Sequence, residues 1–369
     1  MKLSFRLTLL HVLWFSLPYY FIEFLFFREL GLSYTQIGFL GIITETVSLV
    51  MDIPLSSLVY KTGYKKMLLG AHVLMMGALI CLFYAHSYIF CLLSALLFGL
   101  AQALSSGTLS AYSYEYFDKE ADYEAFLKQT NMLKYGLTAT VTLITPYLMS
   151  QMLYAPIVLS LIFCGLSFLM LWSSKTVPVQ DNREEQSHLS SILAHLKSFS
   201  KSTMLYGILF STLVMMANSY ASIFLTEQGF PLKYIGGVLF AFNLMMALGS
   251  HIQLPRFLLI FLPLSLVLLG FSGHWVMSIL LFLLLRFLNA NFINDFSLRF
   301  NESIQGDRAL IWSLYSFGMS LAFILSDFLS GVMSDAFGLP LVYLIYGVIG
   351  AFIALLLGAR AFWIDRRKT

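Results

Sequence analysis

Apolar positions in this chain run in long unbroken blocks, neither alternating as in a strand nor striped as on a soluble helix. A helix that crosses a bilayer needs about 20 such residues. Twelve blocks qualify: 6–27, 36–59, 67–86, 88–110, 130–150, 152–172, 204–225, 233–251, 255–272, 274–295, 309–333 and 340–361. Single-residue gaps at Ser87, Gln151 and Gly273 predict tight hairpins between antiparallel neighbours. One long polar interruption, 173–203, divides the blocks six and six, giving a first half over 1–172 and a second over 204–369. Its first part has the composition of a mobile linker. Leu189, Ile192, Leu193 and Leu196 then recur at i, i+3, i+4 and i+7, which predicts a short amphipathic helix on the cytoplasmic surface.

Composition agrees with a bilayer protein. The chain is 59% hydrophobic and 11% charged, with mean hydropathy +0.81, whereas soluble domains carry about 25% charged residues. Its 34 Phe and 20 Tyr suit lipid-facing surfaces and interfacial belts. The net charge of +3 is spread over loops, without the basic block that nucleic-acid binding would need. Cys81, Cys91 and Cys164 sit in apolar runs at no metal-binding spacing and read as buried thiols. The N-terminus resembles a signal peptide for ten residues. The apolar run then continues to Phe27 without a small-residue cleavage site, so it reads as an uncleaved first span.

Lysines and arginines set the orientation. With a cytoplasmic N-terminus, only Arg28 and Lys233 of the 22 basic residues fall in or beside outer loops. That asymmetry predicts both termini in the cytoplasm and insertion in the cell membrane. An internal repeat supports the division into halves. Residues 29–38, ELGLSYTQIG, and 227–236, EQGFPLKYIG, share Glu, Gly, Ile and Gly at one spacing. Both join the first and second spans of a half, so the halves are expected to be parallel repeats about an axis along the membrane normal.

Ionisable residues within spans are costly and are candidates for function. Glu45 and Asp52 lie seven residues apart on the second span, on one helix face and about 10 Å apart along the axis. Either they belong to a proton or ion pathway, or they are a structural pair. Through the repeat they map onto Asn243 and Ser250, which do not titrate, so any proton path is expected in the first half. Arg286 lies near the middle of the tenth span with Asn289 one turn inward. A guanidinium there keeps its charge and needs a carboxylate, carbonyls or a hydrated cavity. Asp52, Glu45 and above all Asp327 are the candidate ion-pair partners, in which case Arg286 is structural; otherwise it contacts substrate.

The chain resembles the major facilitator superfamily over nearly its whole length. The family's inner loop between its second and third helices reads G-x-x-x-D-R-x-G-R-K, and here Ser56, Tyr60, Lys61, Gly63, Tyr64 and Lys65 occupy those positions. Asp52-Ile53-Pro54 is similar to the E-I-P of drug-exporter-like members. Ser106-Gly107-Thr108 with Tyr114-Glu115, and Asn301, Arg308-Ala309 and Ser313, resemble two further family patterns. Tyr60 stands where the motif has Asp, the second half offers only Arg256 as a basic loop, and the antiporter pattern of the fifth helix is reduced to Thr145-Pro146.

The resemblance implies an all-α fold of twelve transmembrane helices, with the first, fourth, seventh and tenth spans lining a central cavity. It thereby nominates Glu23, Tyr19 and Tyr20, Gln102, Asn218, Asn289 and Arg286. Tyr60, Lys61, Gly63, Lys65 and Lys66 would form the inner gating turn, and Glu23, Glu45 and Asp52 would carry protons. The expected function is secondary transport of a small solute by alternating access, in a monomer without cofactor or metal. Proton-coupled export of an amphipathic or hydrophobic compound leads, by likeness to exporter-like members. The alternatives are a proton- or cation-coupled uptake symporter for a sugar, peptide or organic anion bound by Arg286, and a non-transporting membrane sensor or scaffold. The sequence holds no Walker-type phosphate loop and no nucleophile–base arrangement, so neither ATP coupling within the chain nor an enzyme is expected.

Overall fold

The computed structural model describes residues 2–117, 119–178, 201–252, 254–304 and 308–358. Among them every regular element is helical. Among the described residues nine helices are long and apolar enough to cross a membrane, and a bent pair makes a tenth. The chain forms two compact units. The first holds α1 (Lys2–Phe15), α2 (Glu23–Glu29), most of α3 (Tyr34–Thr62), α4 (Tyr64–Phe83), α5 (Tyr88–Ser105), α6 (Thr108–Tyr114), α7 (Glu120–Gln151) and α8 (Ala155–Trp172). The second holds α9 (Lys201–Ser219), α10 (Ala221–Glu227), most of α11 (Ile235–His251), α12 (Phe261–Gly270), α13 (Trp275–Ser303), α14 (Arg308–Phe337) and α15 (Leu339–Ile353). Ser33–Gly38, with the first turn of α3, belongs to the second unit, and Leu232–Gly237 belongs to the first.

Three expected spans are interrupted. Block 6–27 becomes α1, a 3-10 turn at Pro18–Phe21 and α2. Leu17 is extended, as a residue preceding proline prefers, and Pro18 has no N–H to continue the helix. Block 88–110 breaks at Ser106 and Gly107, where φ is +65°. Block 204–225 bends by 42° between α9 and α10, at Tyr220. Each break frees carbonyls that the hydrocarbon cannot solvate, so side chains must answer them. At the third break the Tyr343 hydroxyl donates to the Ala217 carbonyl at 3.0 Å.

Two other expectations shift. The block at 130–150 is only the apolar part of α7, which starts ten residues earlier at Glu120. Block 255–272 yields a 3-10 turn, Arg256–Ile260, followed by α12 of only 10 residues. The expected amphipathic helix at 189–196 lies outside the described residues.

The repeat is visible as backbone geometry. Gly31 and Gly229 both have positive φ, +81° and +85°. The amide of Leu32 donates to the Phe27 carbonyl at 3.2 Å, and that of Phe230 to Leu225 at 3.0 Å. These are the same helix-terminating turn, and glycine is the residue that adopts its left-handed conformation cheaply. Seven residues further on, Gly38 and Gly236 are close-approach positions. A Cβ there would stand 2.7 Å from the Asp327 carbonyl oxygen and 2.1 Å from that of Leu143, respectively.

Candidate functional site

In the first unit, the break at Pro18 directs two tyrosines and a carboxylate inward. Tyr19 is 1% exposed. Its amide donates to Ser160 Oγ at 2.9 Å, its ring stacks on Phe98 with centroids 5.3 Å apart, and its hydroxyl donates to Glu23 Oε1 at 3.2 Å. Tyr20 reaches Met75 Sδ at 3.8 Å. Glu45, on α3, is within electrostatic reach of Glu23. Among the described residues neither carboxylate forms an ion pair. Asp52 is half-buried on the same helix, two residues before Pro54. Gln102 is half-buried on α5, near that helix's C-terminal break.

The turn at Lys61–Lys66 is built around Gly63, whose φ is +85°. Lys65 Nζ donates to the carbonyls of Trp172 at 2.9 Å and Ser174 at 2.7 Å, which places a cation on the C-terminal end of α8. The same end receives the Arg6 guanidinium, on the Ser173 carbonyl at 3.3 Å, and the Tyr112 hydroxyl, on the Lys175 carbonyl at 2.7 Å. Lys61 and Lys66 are exposed. Tyr60 is in α3 by its backbone, and its side chain lies outside the described residues.

The second unit contains a cavity of about 530 Å³, within the range of sites for small organic molecules. Three helix faces form it. Ser211, Met215 and Asn218 come from α9, Arg286, Asn289, Ile293 and Phe296 from α13, and Trp312, Tyr315 and Met319 from α14. Arg286, Asn218 and Asn289, nominated by the sequence, thus line one cavity. Gln102 and Tyr20 are not among its lining residues, because all of these belong to the second unit.

Arg286 is partly buried. Its one hydrogen-bond acceptor among the described residues is Met246 Sδ, at 3.5 Å, and its guanidinium carbon lies 5.6 Å from the centroid of Phe242. Its Nε is shielded from solvent and has no hydrogen-bond partner, and the same holds for Asn218 Oδ1. Among the described residues Arg286 forms no ion pair with Asp327, the candidate partner in its own unit. Asp327, 1% exposed, instead accepts from the Tyr220 hydroxyl at 3.2 Å, beside the bend between α9 and α10. A guanidinium near mid-membrane costs about 2.5–3.5 kcal/mol on insertion scales. A thioether and an aromatic ring compensate only part of that.

The sequence reading missed the aromatic side of the cavity. Phe296 and Tyr315 lie 5.2 Å apart, and Trp312 meets Tyr315 edge-on at 5.4 Å, its Nε1 donating to Asn301 Oδ1 at 2.9 Å. Their spacing was available: Trp312, Tyr315 and Met319 share one face of α14, as Arg286, Asn289, Ile293 and Phe296 share one face of α13. In a chain so rich in aromatics that face does not stand out from lipid-facing ones.

Near the outer ends of the spans, as the basic-residue asymmetry orients them, Asp335 Oδ1 and Oδ2 accept from the amides of Tyr34 at 2.9 Å and Thr35 at 2.7 Å. The Tyr34 hydroxyl donates to Glu227. The first turn of α3 is thus capped by a carboxylate from α14.

A sequence model of the Major Facilitator Superfamily matches residues 5–293. No curated protein sequence matches the chain. Among solved structures, the nucleoside transporter NupG superposes with a TM-score of 0.76 at 15% identity, covering 98% of this chain and 99% of that one. A POT family transporter in complex with 5-aminolevulinic acid gives 0.70 at 13% identity, with 98% and 96% covered. A D-xylose-proton symporter gives 0.67 at 14% identity, with 96% of each chain covered. At these identities the likeness is one of fold.

Proposed function

The chain belongs to the Major Facilitator Superfamily, and from that premise we propose that it is a proton-coupled secondary transporter working by alternating access. The observation that carries the proposal is the cavity of the second unit, a volume of small-molecule size lined by Asn218, Asn289 and Arg286, whose one hydrogen-bond acceptor among the described residues is a thioether. Such lining suits a polar or charged solute better than the hydrophobic compound that likeness to exporters favoured. Neighbours in fold include a proton symporter for D-xylose and a transporter crystallised with 5-aminolevulinic acid, both polar solutes. The protein would act in the cell membrane, as a monomer, with both termini cytoplasmic.

Glu23 and Glu45 are the proposed proton carriers, with Asp52 next along α3. A membrane carboxylate supported by one tyrosine hydroxyl and no cation among the described residues can exchange a proton when a cavity opens to it. Lys61, Gly63, Lys65 and Lys66 form the proposed inner gate, where Lys65 must release two carbonyls for the turn to move. Reconstituted protein in vesicles with an imposed pH gradient, challenged with polar and apolar solutes, tests the proposal. Accumulation of a polar solute that collapses when a protonophore is added is expected. Gradient-independent uptake would remove the coupling, and preference for hydrophobic cations would restore the exporter alternative.

A further inference from the structure

We propose that the solute held in the second unit's cavity is a small organic monocarboxylate whose body is apolar or planar. The proposal rests on the transport function above and specifies its cargo. Arg286 presents five N–H donors, of which the described residues answer one, through Met246 Sδ. A carboxylate matches the guanidinium fork with two parallel hydrogen bonds, which neither a sugar hydroxyl nor a thioether can do.

The charge state of the cargo follows from the lining. Among the described lining residues Arg286 is the one cation and none is acidic. One guanidinium neutralises a monoanion, whereas a phosphate dianion or a dicarboxylate would leave a charge uncompensated in a low-dielectric site. The body of the cargo follows from the other walls. Phe296, Trp312 and Tyr315 offer ring faces and edges, and Met215, Ile293 and Met319 offer adaptable apolar surface.

The full-length protein in nanodiscs tests this with matched pairs that differ in charge alone: benzoate and benzamide, indole-3-acetate and indole-3-acetamide, hexanoate and hexanamide, with inorganic phosphate and chloride as free anions. Calorimetry is expected to show at least one acid binding tenfold or more tighter than its amide, and more tightly than either inorganic anion. In Arg286→Gln the acid and amide should converge to within about twofold, and Arg286→Lys should retain part of the preference, since it keeps the charge but not the fork. Equal binding of acid and amide in the unaltered protein overturns the proposal, and that comparison does not depend on any variant folding. So does tighter binding of phosphate, an absence of binding by all three acids, or a preference that survives in a folded Arg286→Gln. Counterflow of uridine or D-xylose in the same preparation separates this from the broader function. Flux of those neutral solutes without acid preference removes the carboxylate and keeps the transporter. Acid binding without flux of any acid keeps the site and removes transport.

Discussion

The two units use one device to opposite ends. In each, a break in the leading span carries a buried tyrosine whose hydroxyl donates to a carboxylate: Tyr19 to Glu23 in the first, Tyr220 to Asp327 in the second. Tyr19 and Glu23 lie on one turn, with Glu45 from α3 close enough to interact. Tyr220 instead reaches across to α14 and ties the bend to a neighbouring helix. Among the described residues, Glu23 and Glu45 of the first unit form no ion pair, and neither does Arg286 of the second. Under the proposed function, the first unit would handle protons and the second would recognise the solute.

The largest effect should come from the acids of the first unit. Replacing Glu23 and Glu45 together by Gln is expected to lower gradient-driven accumulation at least tenfold, to the level seen without a gradient, while downhill exchange persists. Vesicle uptake with and without a pH gradient measures both. Retained accumulation in a folded double variant would end the division of labour between the units. Asp52→Asn in the same assay shows whether the path extends along α3, and is expected to reduce coupling less than the double change.

Next comes the contrast between the tyrosines. Tyr220→Phe removes a hydrogen bond to a buried carboxylate and should cost about 1.5–3 kcal/mol, read as a lowered thermal midpoint in detergent. Tyr19→Phe should shift the pH dependence of uptake more than the midpoint, because Glu23 is less enclosed. Equal losses of stability from both would mean that the two tyrosines serve the same structural purpose.

Smaller still, Gly31→Ala and Gly229→Ala should each cost about 1–2 kcal/mol, the penalty of a left-handed conformation for a residue with a Cβ. Open space surrounds both positions, so backbone strain is the only source of the cost. The two values should agree within about 0.5 kcal/mol; a wider gap would show that the repeat is not equivalent in energy. The weakest change is Lys65→Met, expected to lose about 0.3–1 kcal/mol as the cation leaves the end of α8.

Much of the fold was legible because hydrophobic blocks report the membrane directly. Pro18 and Gly107 also announced two breaks, had local backbone chemistry been weighed against the unbroken hydropathy around them. The bend at Tyr220 carried no proline or glycine and arises from packing, where Tyr343 and Asp327 stabilise it. For the same reason the partner of Arg286 could not be chosen from sequence. Helical spacing tells which residues share a face, so Asn218, Arg286 and Asn289 were found. It does not tell which face meets which, and Asp327 turned out to serve Tyr220. The ring wall of Phe296, Trp312 and Tyr315 was hidden by the abundance of aromatics elsewhere.

The cap on α3 has a consequence for how the protein is made. The amides of Tyr34 and Thr35 leave the ribosome about 300 residues before Asp335, the side chain that accepts from both. Through most of synthesis that helix end must borrow water or lipid headgroups at the membrane surface. A chain released before α14 is made would keep the local cap between Ser33 and Gln36 but leave the Tyr34 and Thr35 amides without their carboxylate.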